Sequence, residues 1–306
     1  MTFNRPVFLR SFLAVLIGFF LMTVTASQAQ TVSPTFAQRA ALFHYDPNIK
    51  PSISDDGLDR RDRISIRDIT LQLSPDRPAM KAYLVVPDGS GPFAGVLWVH
   101  WLGDKNSDRS EFLEEAVTLA RKGTVSLLVN AMWADPDWYP TRNVDQDYHQ
   151  SIQQVIDLRR AFDLLAAQPG VDSQRIGFVG HDYGGMYGAV AMALDGRVRS
   201  AVLIAMTQSF TNWAFFVKQP TSKVEYLRQN AVLDLTDYLA QLKNVNVLGQ
   251  FANGDPYVSR ADSLVIMNAL PKKGERKFYD AGHDMVSAAA QADRLAWLTR
   301  DLNLQP

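Results

Sequence analysis

The chain has 306 residues, 31 Lys+Arg against 32 Asp+Glu, 47% apolar and 21% charged residues, and no cysteine. That composition excludes a disordered or fibrous chain, and a formal charge of −1 argues against a nucleic-acid partner. Without cysteine there is no disulfide, thiolate metal site, thiol nucleophile or lipidated cysteine anchor, so covalent chemistry falls to other side chains.

The N-terminus reads as an address. Arg5 and Arg10 precede an uncharged, mostly apolar run from Phe12 to Val24, and Ala26-Ser27-Gln28-Ala29 supplies small residues for cleavage. The run is shorter than the ~20 residues a bilayer core needs. A signal peptide over 1–29, cleaved near Ala29, predicts an exported, periplasmic protein with no stable membrane anchor. Residues 30–62 are polar and interrupted by Pro34, Pro47 and Pro51, and read as an N-terminal arm on the surface.

A domain over 63–306 follows. Ile64 to Leu71 alternates, with Ala82 to Val86 as its partner across a turn. Gly95 to His100 and Val125 to Val129 are apolar runs suited to strands buried on both faces. Asp108 to Arg121 and Asp145 to Ala167 have helical spacing. Arg175 to Gly180 reads as a strand, Gly184 to Leu194 as a helix of small residues, and Val198 to Ala205, Val245 to Phe251 and Arg276 to Tyr279 as further strands. Val258 to Leu270 and Asp284 to Leu302 close the chain as helices. An antiparallel start followed by strand–helix alternation predicts an α/β fold, a mostly parallel eight-stranded sheet with helices on both faces. Residues 207–244 interrupt it with an aromatic-rich insertion, read as two short helices forming either a small lid or a surface pair.

The turn Gly180-His181-Asp182-Tyr183-Gly184, followed by Gly185, lies between a predicted strand and a predicted helix. Glycines two places either side of a central residue allow a sharp, strained turn that lifts that side chain above a helix N-terminus, where N–H groups and the helix dipole favour negative charge.

With this turn, the strand ending in His100-Trp101-Leu102-Gly103, and the two loops Gly254-Asp255-Pro256-Tyr257 and Asp280-Ala281-Gly282-His283, the chain resembles the α/β-hydrolase superfamily from about residue 64 onward. Its body is most similar to the dienelactone-hydrolase-related branch. The elbow, with Asp where most members carry Ser or Cys, resembles epoxide hydrolases and haloalkane dehalogenases. The resemblance implies a triad of Asp182 as nucleophile, His283 as the water-activating base and Asp255 orienting the imidazole. It implies an oxyanion hole from the N–H of Tyr183 and an N–H of Trp101 or Leu102. It carries no cofactor and no metal, and a small-molecule substrate is the expected partner. Tyr183 and the run after the third strand depart from the usual epoxide-hydrolase and dehalogenase patterns.

A carboxylate is ionised at neutral pH and needs no base to attack. At an ester carbonyl it would give an anhydride; at saturated carbon it gives an alkyl ester that water can hydrolyse. An exported hydrolase of epoxides or carbon–halogen bonds is therefore the first expectation. A dienelactone-hydrolase-like esterase or lactonase and a non-catalytic small-molecule-binding protein stay open beside it. Further pocket candidates are His100, Trp133 in the aromatic loop 133–139, and Trp213, Tyr226 and Tyr238 in the insertion. His181 reads as an orienting residue of the elbow, and the oligomeric state is open.

Overall fold

A computed structural model describes residues 34–103 and 107–305. The signal-peptide reading falls outside them. Nine strands form one sheet: β1 (Ser52–Arg61), β2 (Ile64–Gln72), β3 (Met80–Pro87), β4 (Phe93–Val99), β5 (Thr124–Val129), β6 (Val171–His181), β7 (Val198–Ile204), β8 (Asn246–Ala252) and β9 (Glu275–Tyr279). Their spatial order is β1-β2-β3-β5-β4-β6-β7-β8-β9. The first three run antiparallel, β3 is antiparallel to β5, and the rest of the sheet is parallel.

The sheet has one strand more than the sequence predicts. The extra strand is β1, inside the segment read as a surface arm. Its two faces are almost wholly exposed, so no apolar alternation marks it. The same segment holds a short helix, α1 (Phe36–Ala41), capped by Thr35 with Gln38 reaching back.

The core follows from the pleat. Along β4, Leu97 and Val99 point to one face and Val96 and Trp98 to the other, all buried. The second face is covered by α2 (Leu113–Ala120). A four-residue helix, α3 (Trp138–Thr141), follows β5, and α4 (Asp147–Ala166) then crosses the first face. That face also takes α5 (Tyr183–Asp195). The insertion folds as three short helices rather than two: α6 (Thr211–Ala214), α7 (Lys223–Asn230) and α8 (Leu235–Leu239). α9 (Arg260–Ala269) lies near α8, and α10 (Ala288–Asp301) returns to the second face beside α2. Among the described residues no helix is long and apolar enough to cross a membrane.

Parallel β4, β6, β7, β8 and β9 all end at one edge. The turns leaving β4, β6, β8 and β9 carry the four motifs singled out in the sequence.

Candidate active site

β6 ends on His181 and α5 begins on Tyr183, so Asp182 alone turns the chain. Its φ of 54° is in the left-handed region, a strain held by close packing on both sides. A Cβ at Gly180 would lie 2.7 Å from the Gly184 backbone, and one at Gly184 would overlap the Val99 carbonyl oxygen. Glycine is needed at both positions for strand and helix to approach so closely.

The sheet edge brings Asp182, His283 and Asp255 together. Asp182 Oδ2 accepts the backbone N–H of Leu102 at 2.9 Å. Asp182 Oδ1 faces His283 Nε2 at 3.6 Å. His283 Nδ1 lies 2.8 Å from Asp255 Oδ2. Asp255 Oδ1 in turn accepts the N–H groups of Tyr257 at 2.8 Å and Val258 at 2.9 Å, which fixes the carboxylate. All three side chains are buried, at 4%, 6% and 2% exposure in that order.

Burial opposes charge on His283, but its bonds to Asp182 and Asp255 and the field of the two carboxylates prevail and hold its pKa at about 9. Burial likewise opposes the Asp255 charge. The His283 bond and the two backbone N–H groups outweigh it and hold the carboxyl below its ordinary range.

A cavity of about 720 Å³ opens over Asp182 and His283. Its walls include Trp101, Leu102, Tyr139, Trp213, Phe216 and Tyr257. Of the pocket candidates, Trp213 lies at this wall.

Four other pocket candidates lie elsewhere. His100 is buried behind the wall, with Nδ1 directed at the Trp101 carbonyl at 2.9 Å and Nε2 accepting the Ala131 N–H at 3.1 Å. Burial also pushes its pKa down, so both nitrogens serve the loop backbone. Trp133 stacks on Tyr187 and gives its indole N–H to the His100 carbonyl, which makes it core. Tyr226 turns away from the cavity and donates to Asp147 at 2.9 Å. Tyr238 is fully buried, donates to the Val232 carbonyl, and packs edge-on against Phe36 and Phe43. An aromatic residue in an insertion can face the cavity or the protein beneath it, and residue type does not separate the two.

Of the three oxyanion-hole candidates, Leu102 presents its N–H to Asp182. The Trp101 N–H is taken by Glu111 Oε2 at 2.9 Å. Tyr183 opens α5, so its N–H has no acceptor within the helix. Its ring packs under the cavity against Trp213 and Phe210.

Two further wall residues come from segments the sequence marked: Tyr139 from the aromatic loop 133–139 and Phe216 from the aromatic-rich insertion. Tyr257 lies in the acid-loop motif but was not singled out. Sequence reasoning also passed over Arg142, a buried side chain that joins the two walls. Arg142 donates to the Tyr139 carbonyl and the Ala214 carbonyl, each at 2.7 Å, and pairs with Asp147 at 3.2 Å. Among the described residues no group of three or more His, Asp or Glu side chains could hold a metal ion.

No family profile matches the chain, and no curated protein matches it in sequence. Solved structures do match. An acetyl xylan esterase from Paenibacillus sp. R4 superposes with a TM-score of 0.67 at 16% identity, over 87% of this chain and 92% of that one. A glucuronoyl esterase from Solibacter usitatus gives 0.65 at 15% identity, over 87% and 92%. A cold-adapted esterase from an Arctic intertidal metagenomic library gives 0.59 at 19% identity, over 82% and 99%. The likeness is one of architecture: this chain has the α/β-hydrolase fold.

Proposed function

We propose that the protein is a hydrolase that attacks saturated carbon through Asp182 and passes through an alkyl-enzyme ester, with an epoxide as the favoured substrate class. The observation that carries this reading is the 2.9 Å bond from the Leu102 N–H to Asp182 Oδ2. It anchors one carboxylate oxygen in the oxyanion donor and leaves Oδ1 toward the cavity, beside His283. An ester substrate would need that same N–H for its own carbonyl oxygen, and Asp182 already occupies it.

The protons balance for an epoxide. Asp182 Oδ1 bonds to carbon, the carbon–oxygen bond of the ring breaks, and the His283 Nε2 proton moves to the departing oxygen. Asp182 is then a neutral ester, so His283 loses one of the two carboxylates that raised its pKa. The neutral imidazole takes a proton from water. The hydroxide attacks the ester carbonyl, whose oxyanion is Oδ2 on the Leu102 N–H. Collapse returns the Asp182 carboxylate, sends the second water proton to the alcohol oxygen, and releases a diol. A halide leaves without a proton, so His283 would have to lose its own to solvent first.

Turnover in heavy-oxygen water tests the reading. The wild type, given styrene oxide, 1-chlorobutane and p-nitrophenyl acetate in turn, is expected to turn over the epoxide and to carry heavy oxygen in the Asp182 carboxylate after repeated cycles. Epoxide turnover with no label on the peptide carrying Asp182 overturns the alkyl-enzyme step.

The second reading is ester hydrolysis, with Asp182 holding water rather than attacking. The esterase names of the structural neighbours favour it. Asp182→Ser separates the two: ester hydrolysis already present in the wild type and lost in this variant favours the second. The N-terminal pattern supports export, and sequencing of the exported product is expected to begin at Gln30.

A further inference from the structure

Two ionisable side chains beside the site, one buried and one half-buried, take no part in the steps above. His181 is fully buried and Glu111, just ahead of α2, is 17% exposed. His181 Nδ1 lies 2.7 Å from Glu111 Oε1, and His181 Nε2 lies 2.8 Å from the backbone carbonyl of His283. Glu111 Oε2 accepts the Trp101 N–H at 2.9 Å. The Trp101 ring stacks on the His181 imidazole, 5.2 Å between centroids and 12° from parallel.

These contacts make one continuous chain across three loops. It runs from the His283 carbonyl through His181 and Glu111 to the Trp101 N–H. The next residue, Leu102, points its own N–H at Asp182. A carbonyl oxygen only accepts, so His181 Nε2 carries hydrogen and Nδ1 faces Glu111 with one proton between them. Every polar atom of the pair is thereby satisfied in a buried place, where an unpaired one is costly.

We propose that Glu111 and His181 are positioning residues: together they set the His283 loop and the Leu102 N–H at the distances from Asp182 that the reaction needs. Glu111 has a second effect. By taking the Trp101 N–H it withdraws that donor from the oxyanion hole and leaves Leu102 as the donor after β4. The proposal rests on the assignment of Asp182 and His283 as the reacting pair.

The test uses three variants of the full chain. Glu111→Ala removes both bonds. Glu111→Gln can keep both, its amide oxygen accepting from Trp101 and its amide N–H donating to a neutral His181 Nδ1. Glu115→Gln breaks the buried pair that joins α2 to Arg294 of α10, and serves as a control for loosening α2. Two quantities are read: styrene oxide turnover, and the His283 imidazole N–H signal in histidine-labelled protein, identified by its loss in His283→Gln.

Glu111→Ala is expected to lower kcat by roughly 100-fold, the cost of a misplacement of about 1 Å, with KM within a few-fold. It is also expected to shift the His283 signal. Glu111→Gln restores most of both, and Glu115→Gln lowers Tm while leaving the signal in place. Glu111→Ala with unchanged kcat and signal overturns the proposal, as does an equal loss in the Ala and Gln variants. The signal needs no substrate. A shifted signal in a protein that turns over no epoxide therefore counts against the assigned reaction and supports the brace.

Discussion

His283 stands between two carboxylates, and that placement sets the pH behaviour of the site. Its pKa in the folded chain is about 9 against an ordinary 6.5, so the stability from its proton is present in full below about pH 6.5 and is lost as pH rises through about 9. Asp255 has the opposite sign: its lowered pKa adds stability above the ordinary carboxylate range, lost as pH falls through the lowered value. Calorimetry is expected to show Tm falling across the alkaline window. In Asp182→Asn, which removes one of the two charges holding the proton, that fall begins at lower pH. Activity carries the same signature. The resting site needs a protonated His283 to release an oxygen leaving group, so kcat/KM for an epoxide is expected to fall above about pH 9. A kcat/KM that rises through pH 9 would mean that neutral His283 is the competent form and would remove it as the proton donor.

The elbow and the latch beneath the cavity walls are the elements that build the site. At the elbow, Gly184→Ala forces a Cβ into the Val99 carbonyl oxygen, which is backbone and cannot rotate away. Overpacking of this kind costs about 1–3 kcal/mol, and here strand and helix must also part. Denaturant unfolding is expected to show that loss with activity abolished, whereas Gly196→Ala, where a Cβ meets open space, suffers only from its φ of 78°. Beneath the walls, Arg142→Ala leaves Asp147 buried with Tyr226 as its remaining partner, a loss of roughly 3–5 kcal/mol for a broken buried pair. It also frees the carbonyls of Tyr139 and Ala214, so KM is expected to rise more than kcat falls. The elbow was legible in the sequence because strand, turn and helix are contiguous there and only glycine fits its flanks. The acid and base loops were legible for the same reason, each a short motif at a strand end. Arg142 and Glu111 were not, since a charged residue beside a helix carries no local mark when its partners lie far along the chain. β1 was missed because Ser52 to Arg61 buries neither face.

At the scale of the whole molecule, the segment ahead of β1 runs over the surface and is pinned to the core by a few side chains. Phe43 is fully buried and meets Tyr238 edge-on at 6.3 Å, while Phe36 meets the same ring at 6.0 Å. Arg39 donates to the Val232 carbonyl at 2.8 Å and pairs with Asp237 at 2.7 Å. Arg160 of α4 donates to the carbonyls of Asp46, Ile49 and Leu73, and Tyr45 donates to Asp163 at 2.8 Å. The segment therefore fastens α8 on one side and α4 on the other. The insertion that contains α8 also supplies Trp213 and Phe216 to the cavity wall. Loosening the segment should reach the wall before it reaches the sheet, whose strands are held by their own ladders. Phe43→Ala removes the shared aromatic contact and is expected to cost about 3–5 kcal/mol. Amide hydrogen exchange is expected to rise first in residues 231–242, then near Trp213, with β4, β6 and β7 still protected. Uniform acceleration across the sheet would show that the segment supports the domain as a whole. Unchanged exchange in 231–242 would show that it merely covers the surface.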